Sequence, residues 1–247
     1  MYALIGNPLG HSFSANFFNE KFKREHIDNR YILAPLEDIS EVTKFLDDHP
    51  DLQGFNVTIP YKQQIIPYLD ALSDEAKEIG AVNVVKVEHK DGKRFLKGFN
   101  SDAIGFRESI KPLIRPDMKR ALILGTGGAS HAVDYVLRSL GIDTIKVSRK
   151  SSDGVLTYSE LSKEVMHDRL IIVNTTPLGT WPNTELCPDI PYEYITPRHL
   201  CFDLVYNPEV TTFMKKAADN GATVKNGLEM LHLQAIGAWE IWNDNKE

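Results

Sequence analysis

The run Leu122-Ile123-Leu124-Gly125-Thr126-Gly127-Gly128-Ala129-Ser130 narrows the folds open to this 247-residue chain more than any other segment does. An apolar stretch, a cluster of glycines and the start of a helical stretch read as strand, tight turn and helix, the unit from which doubly wound parallel sheets are built. Backbone N–H groups and the helix dipole then converge on one point, which suits a diphosphate. The run departs from a strict G-x-G-x-x-G, because Ser130 stands at the third glycine and Gly128 is added. Strands expected at residues 120–124, 144–147, 170–174 and 200–204, with helices at 129–140 and near Leu161, supply half or more of such a sheet.

About 20 residues beyond the glycines, where an NAD site carries an acidic side chain for the ribose hydroxyls, stand Ser148-Arg149-Lys150-Ser151-Ser152. A carboxylate there would repel a 2′-phosphate, whereas Arg149 pairs with one and stacks on adenine, with Lys150 and the Ser148 hydroxyl adding contacts. NADP is therefore favoured over NAD, the alternative being a basic turn that only faces water. The glycine turn (Gly125, Thr126, Gly127, Gly128, Ala129) and Ser148, Arg149 and Lys150 form the expected cofactor set.

The N-terminal half shows its own α/β rhythm, with strands expected at 2–5, 31–34, 55–59, 82–87 and 95–99 and helical spacing between them. Within Gly54-Phe55-Asn56-Val57-Thr58-Ile59-Pro60-Tyr61-Lys62, alternation predicts Phe55, Val57 and Ile59 inward and Asn56 and Thr58 together on the opposite face. Pro60 ends the strand, and Lys62 follows about one turn later, where an ammonium can give a proton to a reacting oxygen. Asp102 stands where a strand runs into a helix. It reads as an N-cap, kept ionised by helix N–H groups and the dipole, and an ionised carboxylate beside Lys62 would hold that ammonium protonated and oriented. Ser12 and Ser14 read as helix caps and Asn83 as a turn residue. Gln234, set among Leu231, Leu233, Ala235 and Ile236, is an amide on a core-facing helix and needs partners. The fold class expected is α/β with two α/β domains, residues 1–103 with the final helix 228–247, and residues 104–227.

A net charge of −6 and no Lys/Arg block give no reason to expect nucleic acid. The eight histidines show no paired-ligand spacing, so no metal site is expected. Cys187 and Cys201 read as isolated thiols of a reducing compartment. No leader-like start and no run of about 18 apolar residues is present, so the cytoplasm, with no membrane partner, is the expected location.

These elements add up to a resemblance. The chain is similar to the shikimate dehydrogenase family over residues 6–242, through Gly6-Asn7-Pro8, His11-Ser12-Phe13-Ser14, Asn56-Val57-Thr58-Ile59-Pro60-Tyr61-Lys62, Gly80-Ala81-Val82-Asn83, Asn100-Ser101-Asp102, the glycine turn, Asn174-Thr175-Thr176-Pro177-Leu178-Gly179, Asp203-Leu204-Val205-Tyr206-Asn207-Pro208 and Gly227-Leu228-Glu229-Met230-Leu231. The resemblance implies reversible reduction of 3-dehydroshikimate to shikimate by NADPH, in aromatic amino acid biosynthesis. It implies an N-terminal substrate domain, a Rossmann NADP domain and a last helix that returns to the first domain. By position, Ser12 and Ser14 would hold the substrate carboxylate, and Thr58, Asn83, Asp102 and Gln234 its hydroxyls. Lys62 and Asp102 would be the catalytic pair, and Tyr206 would approach the substrate. Asn174, Thr175 and Thr176 would lie along the cofactor, with Gly227 and Met230 at the nicotinamide. The partner is then a small molecule, and the protein a monomer or homodimer. A quinate/shikimate dehydrogenase using NAD and a non-catalytic metabolite-binding homologue are the rivals.

Overall fold

The computed structural model describes residues 1–10 and 12–244, and every count below refers to these. His11 of the serine motif and residues 245–247 of the expected final helix lie outside the described residues. The chain divides into two compact units, Met1–Ser101 with Gln234–Glu247, and Asp102–Leu233.

The first unit contains β1 (Tyr2–Gly6), α1 (Phe13–Arg24), β2 (Tyr31–Pro35), α2 (Val42–Asp48), β3 (Gly54–Val57), β4 (Ala71–Leu72), α3 (Asp74–Ile79), β5 (Val84–Lys90) and β6 (Lys93–Phe99). Its six strands are ordered β2-β1-β3-β5-β6-β4; β1 is parallel to β2 and β3, and β5 antiparallel to β3 and β6. Because direction reverses at β5, the ends of β1, β3 and β6 and the start of β5 lie along one edge of the sheet. Side chains alternate across it. Ala3, Ile5, Phe55, Val57 and Val85 enter one core, while Tyr2, Leu4 and Val84 enter another with Phe18, Phe22 and Tyr31.

The strand bearing Asn56 is shorter than alternation predicts. Phe55 and Val57 are buried, but Ile59 is 68% exposed. Pairing ends at Val57; the Thr58 N–H still reaches the Ile5 carbonyl at 2.9 Å, and the Tyr61 N–H then closes a turn on the Thr58 carbonyl at 2.9 Å. Pro60 has no N–H for a ladder, so the chain turns before Ile59 can face inward. Ser73 caps α3, as its spacing from Ala76 implies, through a bond from the Ala76 N–H.

The second unit runs α4 (Ser101–Ile110), β7 (Arg120–Leu124), α5 (Gly128–Ser139), β8 (Asp143–Ser148), β9 (Val155–Thr157), α6 (Lys163–Asp168), β10 (Ile171–Asn174), β11 (Leu200–Asp203), α7 (Thr212–Asp219), β12 (Thr223–Lys225) and α8 (Leu228–Asn243). All six of its strands are parallel, in the order β12-β11-β10-β7-β8-β9. The winding reverses between β7 and β10. In such sheets ligands bind beyond the carboxyl ends of the strands at that reversal. Ile171, Ile172 and Val173 are fully buried, as a strand covered on both faces requires. The fold is α/β, with one mixed and one parallel sheet.

From Gln234 onward α8 belongs to the first unit, where Ala235, Ala238 and Trp242 join the core of Tyr2, Phe18 and Tyr31. The Trp242 indole donates to the Val85 carbonyl at 3.0 Å. Gly54 makes room for it, since a Cβ at that residue would collide with the indole ring.

Candidate active site

The turn after β7 is held from beneath by two strands. Gly125 adopts φ +110°, and a Cβ there would meet the Thr175 hydroxyl at 2.8 Å, so a side chain is excluded both by conformation and by space. The Gly125 N–H donates to the Val147 carbonyl at 2.8 Å, which sets the end of β8, and with it Ser148 and Arg149, beside the turn. Gly127 is the N-cap of α5 and carries no capping side chain; space is open above it, leaving the first N–H groups of the helix for a ligand. Ser130 explains the departure from the usual glycine pattern: it is fully buried, and its hydroxyl bonds back to the Gly127 carbonyl at 2.7 Å. Thr126, Arg149 and Lys150 are exposed, Gly128, Ala129 and Ser148 half-buried. These features fit a dinucleotide whose diphosphate meets backbone and whose 2′-phosphate meets a guanidinium.

Asn174 ends β10 and organises the loop behind that turn. Its side-chain oxygen accepts from the Thr176 N–H at 3.0 Å and the Thr176 hydroxyl at 2.7 Å, and the Thr175 hydroxyl donates to the Leu124 carbonyl at 2.7 Å. Gly227 lies against the exit of β11: its N–H donates to the Val205 carbonyl at 3.1 Å, and a Cβ there would collide with the Leu204 carbonyl. Met230 is buried in the first turn of α8, and Tyr206 is exposed on the loop after β11.

In the first unit the polar residues follow the sheet edge where β1, β3 and β6 end. Gly6 packs under Thr58, whose methyl occupies the space a Cβ at that glycine would need, and the Asn7 N–H donates to the Ile59 carbonyl at 3.0 Å. Two signature stretches are thus joined. The Lys62 carbonyl accepts from the Val82 N–H at 2.7 Å, and the Asn83 carbonyl from the Val57 N–H at 2.9 Å, so the backbones carrying Thr58, Lys62 and Asn83 are fastened together. Lys62 and Thr58 are half-buried. The buried Asn83 side chain bridges onward, accepting from the Ser101 N–H at 2.7 Å and donating to the Ser101 hydroxyl at 3.1 Å. Ser101 opens α4, so Asp102 lies in the first turn rather than at the N-cap; the dipole still favours its charge, and it is 7% exposed.

Asn56 projects on the face opposite Phe55 and Val57, as alternation predicts, but there it meets Tyr31 rather than open space. It is buried, accepts from the Tyr31 hydroxyl at 2.7 Å and donates to the Asn83 carbonyl at 3.1 Å. Tyr31 is wholly enclosed; burial pushes its phenol well above the ordinary range, opposed by a hydrogen bond from Ser14. Ser12 caps α1, accepting from the Ala15 N–H at 3.4 Å, while Ser14 sits in the first turn beside Tyr31. Tyr31 and Asn56 therefore back Ser14 and Asn83. The sequence clue to Tyr31 was a phenol opening an apolar strand, which needs a partner once buried. Gln234 is buried on α8.

Asp203 was equally unassigned. It closes a strand of three buried apolar residues, is itself inaccessible, and burial pushes its carboxyl up to about 6 against hydrogen bonds from Thr211, Val205 and Asn174. No group of three His, Cys, Asp or Glu side chains among the described residues is placed to hold a metal ion. No helix among them is long and apolar enough to cross a membrane.

A parallel sheet wound in this order, with its glycine turn at the reversal and a basic strand end beside it, defines a dinucleotide-dependent α/β protein joined to a second, mixed-sheet unit. Residues 4–85 match the shikimate dehydrogenase substrate binding domain. The NADP(+) shikimate dehydrogenase of Clostridium perfringens is 36% identical, over all of this chain and 93% of that one. The crystal structure of shikimate dehydrogenase from Aquifex aeolicus superposes with a TM-score of 0.84 at 36% identity, covering 98% of this chain and 91% of that chain. The Thermus thermophilus enzyme, solved in complex with NADP(H) and shikimate, gives a TM-score of 0.84 at 29% identity, covering 98% and 92%. The chain belongs to the shikimate dehydrogenase family.

Proposed function

We propose that this chain interconverts 3-dehydroshikimate and shikimate with NADP(H), using Lys62 and Asp102 for proton transfer. One observation carries the reading furthest. The backbones of Thr58, Lys62 and Asn83 are fastened along one sheet edge, and Asn83 grips Ser101, the residue before Asp102. When bound, NADPH supplies a hydride to the carbonyl carbon of the substrate. Negative charge then grows on the carbonyl oxygen, and the Lys62 ammonium neutralises it and gives up a proton to complete the alcohol. Asp102, in the first turn of α4, holds that ammonium in line. Oxidation of shikimate reverses the proton's path, so Lys62 must then accept it.

Ser12 and Ser14 hold the substrate carboxylate, and Thr58, Asn83, Asp102 and Gln234 its hydroxyls, with Tyr206 approaching from the loop after β11. Buried groups matched to several hydroxyls reject a substrate lacking one, because they stay unsatisfied. Gly125, Thr126, Gly127, Gly128 and Ala129 take the diphosphate, Ser148, Arg149 and Lys150 the 2′-phosphate, and Asn174, Thr175, Thr176, Gly227 and Met230 the nicotinamide half. Residues 1–103 with the final helix act as the substrate domain and 104–227 as the cofactor domain, in a monomer or homodimer. Two unpaired thiols suit a reducing cytoplasm.

Oxidation of shikimate and of quinate, each with NADP and with NAD and followed by absorbance, tests the whole assignment. Shikimate with NADP is expected to dominate. Faster turnover of quinate with NAD would transfer the chain to the quinate branch, and no turnover of either would leave a metabolite-binding homologue.

A further inference from the structure

A carboxylate sealed in the second unit has no part in the chemistry above, yet it ties together most of what surrounds the expected nicotinamide half of the cofactor. Asp203 Oδ1 accepts from Asn174 Nδ2 at 2.9 Å and from the Val205 N–H at 3.0 Å, and Oδ2 accepts from the Thr211 hydroxyl at 2.6 Å. Each donor belongs to a different structural demand. Asn174 presents Thr176, whose neighbour Thr175 touches the glycine turn; Val205 precedes Tyr206 and its carbonyl receives Gly227; Thr211 caps α7 by accepting from the Met214 N–H at 3.2 Å. Leu204 also donates its N–H to the Asn174 carbonyl at 3.0 Å, so the ends of β10 and β11 are bound twice.

We propose that Asp203 is a positioning residue for NADP, whose ionised carboxylate holds the Asn174 loop and the Val205–Gly227 contact in the geometry that accepts the cofactor. The inference rests on the placement of residues 174–176 and Gly227 along the cofactor argued above. The chemistry of the donors requires the charge. Three hydrogens point at two oxygens, and a proton on Oδ2 would be a fourth, forcing the Thr211 hydroxyl to turn from donor to acceptor while it still accepts from Met214. Hydrogen bonds to a charged acceptor are roughly twice as strong as those to a neutral one, so the clamp loosens when Asp203 takes a proton. The titratable groups that face it are Cys201 on its own strand and Tyr192 from the packed segment before β11, both raised by burial and both neutral at pH 7. Among the described residues no ammonium or guanidinium enters its hydrogen bonds, which is consistent with the upward push on its carboxyl to about 6.

The test is cofactor affinity by calorimetry on the whole chain at pH 5.5 and pH 7.5, for wild type and the isosteric Asp203→Asn. The substituted amide keeps an oxygen for Asn174 and Val205, but its nitrogen cannot accept from the Thr211 hydroxyl. At pH 7.5 the variant should bind NADP+ about tenfold more weakly, the loss expected for one charge-assisted hydrogen bond. Wild type should weaken between pH 7.5 and 5.5 more than the variant does. The 2′-phosphate of NADP titrates near pH 6 too, but it does so equally in both proteins, and NAD, which lacks it, isolates the protein's share. A role confined to stability would lower melting temperature with no such pH difference.

Equal NADP+ affinity in wild type and Asp203→Asn at both pH values overturns the proposal. Thr211→Val provides an independent arm should Asp203→Asn not fold: removing a donor raises the carboxyl further, so the midpoint of the NAD pH profile should move upward, and an unmoved midpoint also overturns it. Arg149→Ala, run alongside, separates the two claims. If Arg149→Ala leaves NADP+ affinity intact, the nucleotide placement itself fails; if it weakens binding and Asp203→Asn does not, only the role given to Asp203 fails.

Discussion

The two sheets build their sites in opposite ways. In the second unit, strand order alone places Gly125 and Thr175 at the reversal of a parallel sheet, and what the turn offers is backbone N–H groups and a glycine whose φ of +110° leaves no room for a side chain. In the first unit the sheet is mixed, and its working edge is an assembly of buried side chains: Tyr31 to Asn56, Asn56 to Asn83, Asn83 to Ser101. A diphosphate offers repeated negative charge to dipoles, so backbone suffices. A ring with several hydroxyls must be matched group by group, and a polar group held in a low-dielectric interior needs its own support.

That contrast predicts a division of effects. Lys62→Ala should lower kcat by about 10²- to 10⁴-fold with KM for shikimate little changed, the pattern of a group acting in the transition state. Steady-state kinetics checks it; unchanged turnover removes Lys62 from the chemistry. Next, Arg149→Ala should raise KM for NADPH by roughly 10- to 100-fold, the value of a charge-assisted pair, and barely alter that for NADH. Equal losses for the two cofactors would mean that the 2′-phosphate is read elsewhere, and the second unit would lose its basic strand end as a selector.

The smaller effects sharpen the comparison. Burial pushes Asp203 up to about 6, so the folded state holds this proton more tightly than the unfolded chain and the group's contribution to stability falls as pH rises through 6. Asp203→Asn removes that dependence. Its stability relative to wild type should improve by roughly 1–2 kcal/mol between pH 5 and pH 7.5, read by urea denaturation at each pH. A difference that stays constant across that range would mean that the carboxyl is not raised in the folded state and is already ionised at pH 5. Last, Tyr31→Phe leaves the Asn56 oxygen without its phenol donor and should cost about 1–2 kcal/mol of stability, with KM for shikimate rising through Ser14 and Asn83 while NADP+ affinity stays constant. A fall in NADP+ affinity of similar size would erase the separation between the two sheets.

Much of this is legible in the sequence. Buried apolar runs such as 121–124 and 170–173 declare strands because a parallel strand is apolar on both faces, and Ser73 announces α3 through its cap. Short elements escaped: β9 and β12 span three residues each, too few to show a period, and α7 offers only Phe213, Met214 and Ala217. Position 59 misled because alternation assumes the ladder continues, and the ladder stops at Val57. Asn56 lies on the face that alternation assigns, yet a polar residue on a strand reads as open to a ligand until another layer, here Tyr31, is known to cover it.

What the order of residues dictates, then, is the chemistry on offer: a glycine turn that only a close backbone approach explains, a basic strand end in place of an acidic one, an amide, a hydroxyl and an ammonium within one short stretch. These are local, since spacing and side-chain type act over a few residues. Which of them are spent on holding the fold was settled by packing between distant segments. Asn56 and Asp203 became internal struts because Tyr31, Asn174 and Thr211 arrived from 8 to 29 positions away with hydrogens that had to be satisfied out of water.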